Sequence, residues 1–365
     1  MSKYIAILLW IGGVALFPSI WDVQRSEVLL GKRVKRVEPW FAISLYLPLL
    51  YMTATRGPIA DTYLYLKLYE AMPCTLSEVP SYLGTVKKDI GFSLVSAVIH
   101  IIFGNREVIY LGIIGIAQCA VLIKVYRKYS ADFLLSFFLF IASTDYISWM
   151  FNGMRQFCAV VFIFASTTFM LQKRWIPTVL LILAASTMHQ SALLMLPIVF
   201  IVQGKAWNPK TVIFLLAVLL AVTFVDQFTD ILDEMMQETQ YANVVSDWKL
   251  GEDDGTNVIR VLVYAVPTIF SVIGLRSIRY VNDPVINLCT NMSIVSTGLY
   301  IVSMFTSGIF IGRLPIYASL YNYILLPWQL NNLFAEKSAK FMKVAMVGMY
   351  FIFYYYQIHF AWALI

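Results

Sequence analysis

The sequence predicts an all-α polytopic membrane protein, with about 12 transmembrane helices and one further short helix. Three observations carry this. Hydrophobic residues make up 60% of the 365, only 13% are charged, and the mean hydropathy is +0.74. No soluble domain of this size needs so much apolar surface, so the excess faces lipid. Apolar runs long enough to span a bilayer recur from one end of the chain to the other. Lys and Arg gather between them, at residues 25–36, 124–128, 173–174, 205–210, 276–279 and 337–343, the pattern of cytoplasmic loops. The net charge of +6 therefore belongs beside anionic lipid, and no nucleic-acid partner is expected.

Taken in order, the first apolar run, residues 4–20, has one Lys before it and no small-residue cleavage site after it. It reads as a retained helix and not a signal peptide. With the six basic stretches in the cytoplasm, spans fall near 3–21, 40–54, 107–124, 132–149, 154–172, 175–189, 191–203, 211–226, 258–275, 284–305, 314–334 and 341–358. Both termini then lie outside. A full crossing at 91–103 would invert everything after it. At 13 residues that run is expected to be re-entrant or interfacial, with a short tilted span as the alternative.

The whole chain, 1–365, is expected to form a single transmembrane domain with two longer extracytoplasmic loops, 55–90 and 226–257, each carrying a short amphipathic helix. In the first, Pro58 breaks the chain and Asp61 can cap a helix bearing Tyr65 and Tyr69. The second holds nine acids against Lys249, and Phe228, Ile231, Leu232, Met235 and Met236 recur at helical spacing. Its GEDDG turn (251–255) lacks the ligand spacing of an EF-hand. Cys119, Cys158 and Cys289 lie in apolar helices and Cys74 is alone in a loop, so neither a disulfide framework nor a metal site is expected.

On this scheme the polar residues left over converge on the outer side. Arg56 and Asp61 follow the second span. Asn152, Arg155 and Gln156 open the helix that returns inward, three and four residues apart and so on one face. His189, with Gln190 and Ser191, sits between two spans. Arg313 follows glycines and precedes Pro315, with Tyr317 and Tyr321 at i+4 and i+8. A lone interfacial Arg is usually a snorkelling anchor, a lone His a satisfied core group, and Tyr65, Tyr317 and Tyr321 more often belt aromatics than sugar platforms. Three arginines on the face where positive charge is disfavoured call for another reason. Helix N-termini favour anions, and an arginine fork grips phosphate oxygens in bidentate fashion. Arg155 and Arg313, then Arg56, read as a cradle for a pyrophosphate whose lipid tail lies in the bilayer.

The order R-G-x3-D-T-Y (56–63), N-G-M-R-Q (152–156), A-S-T-M-H-Q-S-A (185–192) and G-R-x3-Y (312–317) resembles the EpsG family, relatives of the Wzy-type polymerases of O-antigen, capsule and exopolysaccharide. Family members often carry a glycine just before the aspartate of the first motif, where Ala60 stands here. The resemblance implies a GT-C-like glycosyltransferase that joins undecaprenyl-pyrophosphate-linked repeat units on the outer side of the bacterial inner membrane. Donor and acceptor would both be lipid-linked glycans, a separate chain-length regulator is common in the class, and no cofactor or metal is expected. Pyrophosphate is already a good leaving group, so Arg155, Arg313 and Arg56 would stabilise charge building on its oxygens. His189 or Asp61 would take the proton of the attacking hydroxyl, with Asp145 or an acid of 226–257 next in line. Asn152, Gln156, Gln190, Tyr65, Tyr317 and Tyr321 would contact substrate, and direct displacement implies inversion. The alternatives are an O-antigen ligase or other lipid-linked-sugar glycosyltransferase, then a transporter, which would show internal repeats and ionisable groups near the midplane.

Overall fold

The structure is a computed structural model that describes residues 3–19, 22–29, 32–58, 61–236, 255–308 and 310–364. The acids at 238, 247 and 252–254, and the first four residues of the GEDDG turn, lie outside that set. The chain divides into two compact units, one of residues 1–169, 175–193 and 340–365, the other of 170–174 and 194–339.

The first unit opens with α1 (Lys3–Ala15), then strands β1 (Gln24–Leu29) and β2 (Lys32–Val37) and helix α2 (Pro39–Ala54). It continues through α3 (Thr62–Glu70), α4 (Val79–Thr85), α5 (Ile90–Phe103), α6 (Glu107–Tyr129) and α7 (Phe133–Ala142). A π-helical segment, Tyr146–Asn152, leads into α8 (Met154–Ala165), α9 (Thr167–Leu171) and α10 (Trp175–Met188).

Residues 25–36, expected as a basic cytoplasmic loop, form an antiparallel hairpin. Successive side chains of a strand point to opposite faces, so in K-R-V-K-R-V Arg33 and Lys35 are exposed on one face while Val34 and Arg36 turn to the other. That second face docks on the end of α6. Arg36 Nε donates to Lys128 O (3.0 Å), Arg127 Nε donates to Val37 O (2.6 Å), and the Arg127 guanidinium pairs with Glu27. The Arg127 guanidinium, with Arg25, holds Glu27 below the usual carboxylate range.

Pro48 lies inside α2 and cannot donate to Ser44 O, a carbonyl that a helix would otherwise leave orphaned. Trp10 Nε1 of α1 fills the gap at 3.3 Å, which ties the first two helices together. Helices α6 and α8 run side by side in the same direction. Gln118 Nε2 reaches Cys158 Sγ (3.3 Å), and one helical stretch later Tyr129 OH meets Thr168 Oγ1 (2.7 Å). Helix α2 runs opposite to them, its last turn at Thr53 packed on Gly115. The unit thus has two ends. The hairpin and the end of α6 mark one; the end of α2 and the starts of α6 and α8 mark the other.

Helix α5 does not run the length of its neighbour α6. Ser96, in its middle, meets Tyr110 OH at 3.2 Å, and Gly104 O at its end accepts from Tyr69 OH (2.9 Å), whose ring stacks on Tyr110 at 4.0 Å. Its second half therefore stays beside the first turn of α6. His100 is a buried core histidine there, with Nδ1 3.0 Å from Pro73 O.

The second unit holds α11 (Met195–Ile201), α12 (Pro209–Thr223), α13 (Val225–Met236), α14 (Val258–Ile273), α15 (Leu275–Val281), α16 (Pro284–Met304), α17 (Ile316–Ser319) and α18 (Asn322–Asn332). Its axis is α16, whose apolar window is 89% buried. Asn287 and Asn291 on α16 hold the preceding loop: their side-chain oxygens accept from Ala206 N (3.1 Å) and Trp207 N (3.0 Å). Helix α19 (Glu336–Tyr356) then returns the chain to the first unit, where Tyr354 OH bonds Tyr146 OH (2.9 Å) and Tyr4 O (2.8 Å).

Among the described residues three helices are long and apolar enough to cross a membrane, Glu107–Tyr129, Met154–Leu171 and Pro284–Met304. The number rises to six if each pair bent by more than 40° forms one span. The chain is a helical membrane protein.

Candidate functional site

The end of the first unit where α2 stops gathers most of the predicted residues. Arg56, just past α2, is 4% exposed. Its Nε donates to Thr62 Oγ1 (3.1 Å), Nη1 to Thr53 O (3.2 Å) and Nη2 to Met154 Sδ (3.1 Å), and Cζ lies 5.0 Å from the centre of the Phe151 ring. All these partners are neutral, and among the described residues Arg56 has no carboxylate partner. Burial lowers its guanidinium to about 10, so it stays charged at neutral pH. An exposed snorkelling anchor would look different.

The π-helical segment supplies the next contacts. It follows a turn at Thr144 (φ 63°) that bends it 74° from α7. Phe151 O accepts from Thr62 Oγ1 (3.3 Å), and Asn152 Oδ1 accepts from the Asp61 backbone N–H (3.1 Å). Asn152 thereby fastens the start of α3. Gly153, at φ −87° and ψ 41°, breaks the helix before α8 begins. Asn152 therefore does not share a continuous α-helical face with Arg155 and Gln156, which corrects the triad read from the i+3 and i+4 spacing. Gln156 is buried at 4% exposure. The Asp61 carboxylate, half-buried, makes no hydrogen bond among the described residues, and it does not cap α3.

Arg155 is held from two sides. Its Nη1 donates to Asp89 Oδ2 at 3.0 Å, and its Cζ lies 5.5 Å from the centre of the Tyr65 ring. Burial raises the Tyr65 phenol. Asp89 was not foreseen. In sequence it sits in K-K-D-I-G, which reads as a solvated charge run, yet its side chain is 3% exposed against 24% for Arg155. Burial raises its carboxyl, with Arg155, Lys88 and the Gln190 backbone N–H pulling the other way. Its Oδ1 is buried with no hydrogen-bond partner.

Asp89 reaches this place through strained backbone and a close helix contact. It adopts φ 56° and ψ 41°, uncommon without a glycine. Two residues on, a Cβ at Gly91 would lie 2.8 Å from Thr187 Cβ and closer still to Thr187 Oγ1. Only glycine lets α5 start against the end of α10. That contact sets Asp89 beside the 189–191 turn, where His189 Nδ1 lies 2.7 Å from Ser191 Oγ. His189 is half-buried and Gln190 exposed, and Gln190 N–H favours the charged form of Asp89.

The remaining predicted residues belong to the second unit. Arg313 ends a 3-10 turn, Ile311–Arg313, and is exposed. The turn packs tightly, since a Cβ at Gly312 would stand 2.5 Å from Thr256 Oγ1. Tyr317 and Tyr321 are 2% and 0% exposed. Residues 311–321 comprise a 3-10 turn, the short α17 and a further turn, so the straight helical face read through Arg313, Tyr317 and Tyr321 is not present. A cavity of about 230 Å³ in this unit is lined by Lys173, Gln203, Lys205 and Asn287 among others, and includes none of the predicted site residues. Among the described residues no cluster of three or more His, Cys, Asp or Glu could hold a metal ion.

The helical bundle defines a membrane protein with a polar cluster of Arg56, Arg155 and Asp89 at one end of its first unit. The EpsG family profile matches residues 39–363, and the chain belongs to the EpsG family, membrane proteins of the polysaccharide-polymerase type. No curated protein and no solved structure matches it.

Proposed function

We propose that this protein joins undecaprenyl-pyrophosphate-linked oligosaccharide repeat units by glycosyl transfer at the extracytoplasmic face of the inner membrane. The observation that carries this reading is Arg56. A buried guanidinium without a carboxylate costs roughly several kcal/mol unless an anion compensates it, and Arg155, next to Met154 in sequence, pairs with Asp89 among the described residues. Asp89 is taken up by Arg155, and among the described residues Asp61 makes no ion pair with Arg56, so the Arg56 guanidinium is the charge that a pyrophosphate would compensate.

In the reaction the acceptor hydroxyl oxygen attacks the anomeric carbon of the growing chain, and the bond from that carbon to the pyrophosphate oxygen breaks. Undecaprenyl pyrophosphate leaves, inversion follows from direct displacement, and no metal is required. Arg56 and Arg155 stabilise charge on the departing oxygens, and Arg313 is the second unit's candidate for a pyrophosphate contact. His189 or Asp61 takes the hydroxyl proton. In the tautomer that donates Nδ1–H to Ser191 Oγ, Nε2 carries the lone pair that proton transfer needs. Gln190, exposed beside it, contacts sugar, as do Tyr65, Asn152 and Gln156 around the arginines. In this reading the shorter apolar helices and bent pairs complete about twelve crossings in a GT-C-like arrangement, and the protein works with a chain-length regulator.

The test is polymer length on gels from cells lacking the protein and complemented with wild type, Arg155→Ala, Arg313→Ala or His189→Ala at matched membrane levels. Arg127 pairs with Glu27, so the neutral control is Arg33→Ala on the exposed hairpin face. Single repeat units from the three variants and long polymer from the control are expected. Normal polymer from all three would reduce the arginines to anchors.

A further inference from the structure

We infer that Asp89 is a positioning residue that holds Arg155 for the pyrophosphate and couples it to the His189 turn. The inference rests on the polymerase reading for the identity of the anion, and on geometry for the rest. Asp89 takes Nη1 of Arg155 at 3.0 Å, while the Tyr65 ring closes the guanidinium from another side. An arginine on a long flexible stem loses much rotamer freedom when fixed at two points, and a fixed guanidinium needs no reorganisation when charge develops. Gly91 against Thr187 and the left-handed backbone of Asp89 itself put this carboxylate where α5, α8 and the end of α10 meet. Among the described residues it is the acid that ion-pairs with Arg155.

The pairing has a second consequence. A carboxylate competes with the incoming anion for the same guanidinium, so Asp89 weakens ground-state binding of pyrophosphate while keeping Arg155 aligned for the transition state. Removing its charge therefore moves affinity and turnover in opposite directions. A purely structural acid would lower the amount of folded protein and leave both constants unchanged per folded molecule.

The experiment uses full-length protein in nanodiscs with lipid-linked repeat units as substrate, and farnesyl pyrophosphate as a binding probe that needs no turnover. Asp89→Asn is expected to bind farnesyl pyrophosphate about threefold to tenfold more tightly and to turn over about tenfold more slowly. Arg155→Met strands the buried carboxylate and is expected to lower Tm. Arg155→Met/Asp89→Asn restores Tm, since neither charge remains, yet stays inactive and binds the probe weakly. Unchanged probe affinity in Asp89→Asn, or a wild-type Tm for Arg155→Met, overturns the inference. If wild-type protein makes no polymer, the polymerase reading fails by itself, and the probe affinities and melting temperatures still decide the role of Asp89. Should Asp89→Asn not fold, the double variant carries the Tm comparison.

Discussion

Arg56 and Arg155 look alike in sequence and differ in surroundings. Arg155 has an acid and an aromatic face; Arg56 has a hydroxyl, a carbonyl, a thioether and an aromatic face, none charged. Its planar fork serves three separate acceptors, which an ammonium cannot do from one position. Arg56→Lys keeps the charge and is expected to lose about two of these bonds, about 2 kcal/mol in stability, with loss of polymer. Melting of the purified variant in nanodiscs checks it, and a wild-type Tm would show the fork to be dispensable. Both arginines stand out in the sequence, since the expected span scheme puts them on the face that disfavours positive charge. Asp89 does not. A Lys-Lys-Asp run before an apolar helix resembles solvated charge and an ordinary N-cap, and only the packing of Gly91 on Thr187 shows that it points inward. The roles within N-G-M-R-Q were illegible for a related reason: spacing presumes one helix, and the π-helical segment ending at Asn152 breaks that premise.

At the scale of elements, apolar runs told where helices lie, since each needs one face or more in lipid or core. They could not tell where helices bend, because Thr144 at φ 63° and the break at Gly153 depend on tertiary contacts. The hairpin escaped for the opposite reason. K-R-V-K-R-V repeats every three residues and looks like a basic loop unless a partner strand is known, and the partner, Q-R-S-E-V-L, carries a weak alternation. The contact between α5 and α10 yields an element-scale prediction. Gly91→Ala places a methyl against both the Cβ and the Oγ1 of Thr187, so the helices must separate. The expected cost is about 1–3 kcal/mol for overpacking, and Asp89 moves with α5, so polymer yield falls with it. Thr187→Gly removes the obstructing side chain and is expected to recover part of both. A Gly91→Ala protein that melts and polymerises like wild type would mean that α5 and α10 stand further apart than described.

For the whole molecule the question is which side of the membrane the arginine site faces. The hairpin and the arginine cluster lie at opposite ends of the first unit, so one orientation fixes both. By the positive-inside rule the basic hairpin, with Arg33 and Lys35 exposed, is expected in the cytoplasm, and the site would then face outward. The protein carries its own reporter for this. Of its four cysteines, Cys119 and Cys289 are buried and Cys158 is partly buried in α8, while Cys74 is exposed in the 55–90 loop. That loop is tied to the site end: Pro73 O, next to Cys74, meets His100 of α5, whose second half stays at the start of α6. A membrane-impermeant maleimide added to intact spheroplasts should therefore label wild-type protein once, at Cys74, and Cys74→Ser should abolish the signal. Arg33→Cys in the Cys74→Ser background should label only after permeabilisation, because its position lies at the far end. Labelling of Arg33→Cys in intact spheroplasts, with Cys74 protected, would invert the orientation. The arginine site would then open to the cytoplasm, and a polymerase working on the outer face could not be built from it.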